Sequence, residues 1–225
     1  MKKKLFGFGL VMVLFLIFLT SCEKKDREYG FQPVFEKLTW GMSMQEVIQS
    51  MELTKKNATI VEPKEDSVYR IIRLNEPYEE YGMNAMVHLL IMGKVKGAKE
   101  SYPYDVLSAV VLQYSDIDYS KLAKNMNEQL GEAEIHTTDD MDTQKETYIW
   151  KSKDTIDSLY RTEKKELQAY CKNLTEEGYS ALEPKETSAM NKITLEIDPE
   201  NKKATVTYYG DWSLYLNISK KQGKE

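Results

Sequence analysis

Three stretches of the chain carry apolar residues at helical spacing. In the first of them, Ser43 and Glu46 stand three residues apart, which is the spacing of a capping box. The second lies between Asp118, a suitable N-cap, and Gly131, a suitable C-terminal glycine. The sequence thus predicts helices at 38–51, 119–130 and 163–177.

Most other apolar positions alternate with polar ones or form short runs rich in β-branched and aromatic residues, as is typical of strands. The predicted strands are 68–74, 83–92, 106–114, 146–150, 193–197 and 204–208, with a turn at 198–201 between the last two. The order of helices and strands indicates an α+β fold, an antiparallel sheet with helices packed on one face. It is compatible with two tandem helix-plus-strands units, at 34–116 and 117–219.

The N-terminal residues 1–21 follow a different pattern. Lys2, Lys3 and Lys4 precede a charge-free apolar run at 5–19. This run is too short for a bilayer, which needs about 20 apolar residues, but it has the length of a signal-peptide core. We therefore expect 1–21 to be a signal peptide; an uncleaved N-terminal anchor is the alternative.

The remaining domain boundaries follow from composition. Residues 22–33 are polar, balanced in charge and end in Pro33, which predicts a flexible tether. Residues 34–219 are predicted to form the extracytoplasmic α+β domain, and 220–225 a polar tail.

The junction Leu19-Thr20-Ser21-Cys22 resembles the lipobox of bacterial lipoproteins. The resemblance implies that Cys22 is diacylglycerylated and that a lipoprotein signal peptidase cuts before it. The acyl chains would then hold the protein on the outer side of the cytoplasmic membrane or, in a host with two membranes, at the outer membrane. Cys171 has no partner for an intramolecular disulfide once Cys22 is acylated, and we expect it to be a small buried apolar group.

A further resemblance lies in 38–47, LTWGMSMQEV, which is similar to the start of the first helix in certain small exported bacterial lipoproteins. Their folds resemble those of the β-lactamase-inhibitor protein and of outer-membrane-assembly (SmpA/OmlA-type) lipoproteins. The stretch 122–132, ending Leu130-Gly131-Glu132, resembles the end of a helix in such units. The resemblance implies a binding protein rather than an enzyme.

Charge and motif content narrow the function classes. The net charge is −5 with mixed signs, whereas nucleic-acid binding requires a basic patch, so we expect no nucleic-acid partner. Of the two histidines, His88 lies in a predicted strand and is expected to be structural. His136 precedes Asp139, Asp140 and Asp142, oxygen ligands of the kind that Ca²⁺ prefers, but their spacing matches no calcium loop and predicts a solvated acidic loop.

No catalytic motif stands out in the sequence, so no catalytic residue, metal or cofactor is predicted, and an unrecognised envelope hydrolase is the less favoured alternative. The positive signal is aromatic, because the chain has 15 tyrosines and Tyr and Trp suit interfaces. Trp40, Tyr209, Trp212 and Tyr215 are the predicted contact residues of a non-catalytic, lipid-anchored module that binds another envelope protein. The second hypothesis is an aromatic-lined site for a small molecule or glycan.

Overall fold

The computed structural model describes residues 27–61, 69–93, 104–140, 143–177 and 183–222, and only the backbone of 138–140 and 143–145. The predicted signal peptide, Cys22 and Asp142 lie outside this part of the chain. The described residues form four α-helices and nine strands. The helices are α1 (Met44–Ser50), α2 (Tyr119–Leu130), α3 (Arg161–Glu176) and α4 (Asp211–Gln222), and a 3₁₀ turn covers Ile156–Ser158.

The strands form one antiparallel sheet in the order β1-β2-β4-β5-β9-β8-β7-β6, with β3 paired to β4. They are β1 (Ala58–Val61), β2 (Tyr69–Leu74), β3 (Tyr78–Glu80), β4 (Met83–Met92), β5 (Val106–Ser115), β6 (Glu134–Asp140), β7 (Thr143–Lys151), β8 (Lys192–Asp198) and β9 (Lys203–Tyr209). All four helices bury residues in one core on one face of this sheet, among them Val47, Met126, Leu174 and Leu214. The predicted α+β class is therefore confirmed.

The two halves of the chain meet in the middle of the sheet. Each half supplies a helix followed by sheet strands in sequence order, and the last strands, β5 and β9, pair with each other. On the core face, one row of side chains crosses seven strands: Ile60, Ile72, Leu89, Val110, Tyr208, Ile193 and Trp150. The tandem arrangement of helix and strands is present, but the halves share one sheet and one core.

Local chemistry explains the helix boundaries. The Ser43 hydroxyl accepts from the Glu46 N–H at 3.2 Å, and Glu46 Oε2 accepts from the Ser43 N–H at 2.6 Å, so the predicted capping box is confirmed. Helix α1 is shorter than predicted, because Gly41 and Met42 exchange backbone hydrogen bonds with Leu107. The predicted second helix is confirmed as α2, and residues 163–176 are helical throughout.

Three predicted irregular segments are corrected. The prediction of an acidic loop is wrong, because Asp139 and Asp140 belong to β6. This strand lies at the edge of the sheet, so it does not need alternating apolar residues. The prediction of a flexible tether is wrong for 27–33, because Tyr29 in this segment is 3% exposed and is packed into the domain. The prediction of a polar tail is wrong for 220–222, because these residues form the end of α4.

Candidate binding surfaces

The four aromatic residues predicted as contacts lie in three separate places. Trp40 is 1% exposed, and its indole Nε1–H donates to the Phe31 carbonyl oxygen at 2.8 Å, so it offers no surface to a partner in this fold. Trp212 and Tyr215 are half-buried on α4, with ring centroids 5.9 Å apart. Tyr209 lies on the face of the sheet opposite to the helices, because its neighbour Tyr208 points into the core.

The face of the sheet on which no described helix packs, called the helix-free face, carries an apolar row. Val61, Ile71, Leu90, Ala109 and Tyr209 are successive cross-strand neighbours over five strands. The row then reaches Lys192, whose ammonium lies 4.9 Å from the centroid of the Tyr209 ring. Val61 is exposed, Ile71, Leu90 and Tyr209 are half-buried and Ala109 is buried, so this partly exposed apolar row is a candidate contact surface.

His88 and Thr194 are two polar residues on the same face of the sheet. His88 is half-buried, and burial together with the nearby Arg73 charge lowers its pKa, which favours the neutral imidazole. Thr194 is 6% exposed; burial raises the pKa of the neighbouring Tyr209, and a hydrogen bond with the Thr194 hydroxyl opposes that rise.

An apolar groove of about 540 Å³ lies between α1 and the edge strand β1. Its apolar lining comes from Ile48, Leu53, Ala58, Ile60 and Ile72, and its polar lining from Thr54, Lys55 and Thr59. The sequence did not lead us to this site. A short β-branched run, ATIV, follows the turn at 54–57 and was the one signal of β1.

The turn between α1 and β1 shapes the groove. The Leu53 N–H donates to the Ile48 carbonyl oxygen at 2.9 Å, which closes the end of α1. The Thr54 N–H donates to Asn57 Oδ1 at 2.6 Å, and the Ala58 N–H donates to the Thr54 carbonyl oxygen at 3.0 Å. These bonds reverse the chain and leave β1 beside α1 with space between them.

The outer edge of β1 presents backbone hydrogen-bonding groups. The Asn75 N–H donates to the Asn57 carbonyl oxygen at 2.9 Å, and Thr59 and Val61 follow as the paired residues facing β2. The N–H and C=O of Ile60 therefore point away from the sheet, and no described residue pairs with that edge. The Ile60 and Val61 side chains are 46% and 43% exposed, so the edge is both apolar and accessible.

A second cavity, of about 270 Å³, lies where the N-terminal segment meets α4; two of its lining residues, Tyr29 and Lys220, belong to a polar network centred on Glu163. The Tyr29 hydroxyl donates to Glu163 Oε2 at 2.5 Å, and the Lys220 ammonium lies 2.7 Å from Glu163 Oε1. Burial alone would raise the pKa of Glu163, but hydrogen bonds from Lys220, Tyr29 and the Tyr160 N–H outweigh it and lower the pKa. The pKa of Tyr29 is raised, first by burial and then by its bond to Glu163.

Candidate chemistry elsewhere is sparse in the described ranges. They contain no group of three or more His, Cys, Asp or Glu side chains placed to hold a metal ion. Cys171 is fully buried, as expected, and burial raises the pKa of its thiol to about 11. Among the described helices, none combines the length and apolar character needed to cross a membrane.

Comparison with protein-family models, with curated proteins and with solved structures found no match for this chain. The candidate sites therefore rest on the geometry of this molecule. Of the three surfaces, the groove beside β1 combines an unfilled apolar volume with backbone groups that an extended partner can pair with.

Proposed function

We propose that this protein is a non-catalytic, extracytoplasmic lipoprotein, anchored through lipid on Cys22, that binds an extended segment of another envelope protein. The binding site is the groove between α1 and β1 together with the outer edge of β1. The anchor is supported by the apolar run at 5–19 and by the lipobox-like residues that follow it.

The observation that carries the binding site is the position of Ile60. Its backbone N–H and C=O point outward, while its exposed side chain forms part of the groove lining. A segment added to the sheet gains backbone hydrogen bonds from the edge and gains specificity from side chains placed in the pocket. The occupant that fits is therefore an extended peptide with an apolar residue opposite the groove.

Selection from a library of 12-residue peptides displayed against the folded domain tests this proposal. We expect selected peptides to carry alternating apolar residues and to shift the backbone amide NMR signals of residues 58–61. Ile60→Asp should weaken binding at least about tenfold, because a charge would enter the apolar groove. Ile135→Asp on the opposite edge, where Ile135 is 59% exposed, is the matched control and should leave affinity unchanged.

Methylation of single peptide nitrogens adds a second arm. Alternate N-methyl groups should abolish binding if the peptide pairs with the β1 edge, and none should matter if only its side chains bind. Binding that is unaffected by both Ile60→Asp and N-methylation would overturn the site. Clickable fatty acid labelling of cells tests the anchor separately, because Cys22→Ser should remove the label.

The second candidate function is binding of a small molecule or glycan on the helix-free face. It is favoured by the buried Thr194 hydroxyl, which lies diagonal to Tyr209 across the β8–β9 pair, beside the phenol of that residue. A glycan array should then give hits that both Thr194→Val and Tyr209→Ala remove. Hits that survive both substitutions, or an array without hits, would dismiss this function.

A further inference from the structure

The segment just after the proposed anchor is fixed to the domain rather than free. The Phe31 N–H donates to Asn191 Oδ1 at 2.8 Å, and Asn191 Nδ2–H donates back to the Phe31 carbonyl oxygen at 2.6 Å. The Gly30 N–H donates to Asp154 Oδ2 at 2.9 Å, and the Ser213 hydroxyl donates to the Tyr29 carbonyl oxygen at 3.0 Å. The chain is therefore held from Tyr29 onward.

Gly30 shows how closely the segment is seated. Its φ is +72°, and a Cβ atom there would lie 2.4 Å from Asn191 Oδ1. Both the backbone conformation and the contact exclude a side chain at this position. The contact between this segment and the rest of the domain is thus part of the fold.

All the docking partners lie at one end of the sheet. Asp154 follows the end of β7, Asn191 precedes the start of β8, and Ser213 lies in the first turn of α4, just after β9. We call this the docking end. The turn that joins β8 to β9 lies at the opposite end, about 20 Å away, since β8 has seven residues that rise about 3.3 Å each.

The connection between the anchor and the docking end is short. Five residue steps separate Cys22 from Arg27, and even a fully extended chain covers only about 17 Å in that distance. Arg27 also contacts this end, because its guanidinium lies 3.1 Å from Asp154 Oδ1 and 4.8 Å from the centroid of the Tyr29 ring. The domain therefore has little freedom to turn over above an anchored Cys22.

We propose that the docking end faces the bilayer and contacts the lipid headgroup region, while the β8–β9 turn points away from the membrane. This inference rests on the lipid anchor proposed at Cys22. The length of the tether, and not attraction to anionic lipid, sets the orientation. Arg27, Lys220 and Lys221, which lie at this end, are each paired with a carboxylate: Arg27 with Asp154, Lys220 with Glu163 and Lys221 with Glu46.

Energy transfer from labelled protein to acceptor-labelled headgroups tests the orientation. The full lipidated protein is reconstituted in phosphatidylcholine vesicles with a donor dye at Glu28→Cys or at Glu200→Cys, both exposed positions at opposite ends. The buried Cys171 and the acylated Cys22 leave no competing thiol. We expect transfer from position 28 to exceed transfer from position 200 at least twofold, and equal or reversed transfer would overturn the proposal.

A lengthened tether supplies the second variant. A flexible insert of 20 Gly and Ser residues between Asp26 and Arg27 spans about 25 Å and should remove most of the difference between the two positions. An undiminished difference would show that the tether does not orient the domain. Vesicles with phosphatidylserine should give the same result as phosphatidylcholine, and a difference that appears only with phosphatidylserine and vanishes in high salt would contradict the tether argument.

Failure of the anchor would be recognised separately. Flotation with vesicles and mass spectrometry of the N-terminal peptide report whether Cys22 carries lipid, and Cys22→Ser should remain in solution. Protein without lipid would refute the proposed anchor, whereas lipidated protein with equal energy transfer would refute the orientation alone.

Discussion

The two halves of the sheet match in strand order but differ in how their outer strands close against the helices. Counted outward from the central β5–β9 pair, the third core residue is Ile72 in the first half and Trp150 in the second. Trp150 is 2% exposed, and its Nε1–H donates to the Gly131 carbonyl oxygen at 2.9 Å. The second half is thus filled where the first half has a groove beside Ile72.

The two edge strands show the same contrast. The outermost strand of the second half, β6, carries Glu134, His136 and two aspartates, which discourage pairing with another chain. The outermost strand of the first half, β1, has the uncharged sequence ATIV with Ile60 and Val61 exposed. One half is closed by a large side chain and a charged edge, while the other leaves both its groove and its edge accessible.

The largest expected effect is that of removing the residue that fills the second half. Trp150→Ala should lower the free energy of unfolding by about 4 kcal/mol, because a large buried side chain is lost and the fold only partly collapses around the cavity. Urea denaturation followed by far-UV circular dichroism measures it. Ile72→Val, at the matching position of the first half, should cost about 1 kcal/mol, and similar costs for both would contradict the comparison.

The second half also holds a buried charge network that the first half lacks among its described residues. Glu163→Gln should cost about 3 kcal/mol at neutral pH, because Lys220 loses its partner in a largely buried site. The exposed Glu166→Gln on the same helix is the matched control and should change little.

The effect of Glu163→Gln should depend on pH. The folded-state pKa of Glu163 is lowered, so the stabilisation that it provides is present above the ordinary carboxyl pKa of 4.5 and is lost as the pH falls below that value. The difference between wild type and variant, measured by urea denaturation from pH 7 to pH 3, should shrink on the acid side. A constant difference over that range would argue against the ion pair.

The sequence predicted those helices and strands that bury apolar side chains on one face only. α2 and β4 have the predicted bounds, and the hairpin of β8 and β9 turns where the Asp-Pro-Glu-Asn signal stands, because in each a regular apolar period faces the core. β6 has no such period, and its residues 134–137 are exposed on both faces of the sheet. α4 follows β9 after a single residue, and its polar and apolar residues do not separate into two clear faces, because it packs against both the sheet core and α3.

The candidate site was harder to predict for a physical reason. A groove is a volume that no side chain fills. Small residues such as Ala58 are the one feature of the sequence that could indicate it. Aromatic residues were the signal in the sequence that indicated a contact surface. Trp40, however, is buried in the core, and the other three lie on two different surfaces. Aromatic content alone therefore predicted large buried side chains better than it predicted contacts.

A smaller effect is expected at the contact between the halves. The hydroxyls of Tyr81 and Tyr208 are 2.5 Å apart in the core, one from each half. Tyr81→Phe should cost about 1 kcal/mol, the net value of one buried hydrogen bond whose partner is left unsatisfied. Burial raises the pKa of Tyr81 to about 12, so the stabilisation is present below the ordinary tyrosine pKa of 10 and is lost as the pH rises toward 12. An equal cost at pH 8 and pH 11.5 would contradict this assignment.

The variant with the smallest expected change in stability tests the difference between the two halves most directly. The next core row, two residues along each strand, ends at Ala58 in β1 and at Ile135 in β6. Ala58→Ile copies the second half into the first and should raise the free energy of unfolding by about 0.5–1 kcal/mol, because the added methylene groups enter an apolar groove. Urea denaturation measures the gain, and the conservative Ile135→Val at the other edge is the control that should change neither stability nor binding.

The same variant separates folding from binding. If the groove holds the side chain of an extended partner, Ala58→Ile occupies that volume and should weaken peptide binding at least about tenfold while the protein becomes more stable. A loss of binding caused by unfolding would have the opposite sign in stability, so the two explanations cannot be confused. A more stable variant that binds selected peptides as well as the wild type would show that the open half is merely less well packed, and that its groove receives no partner.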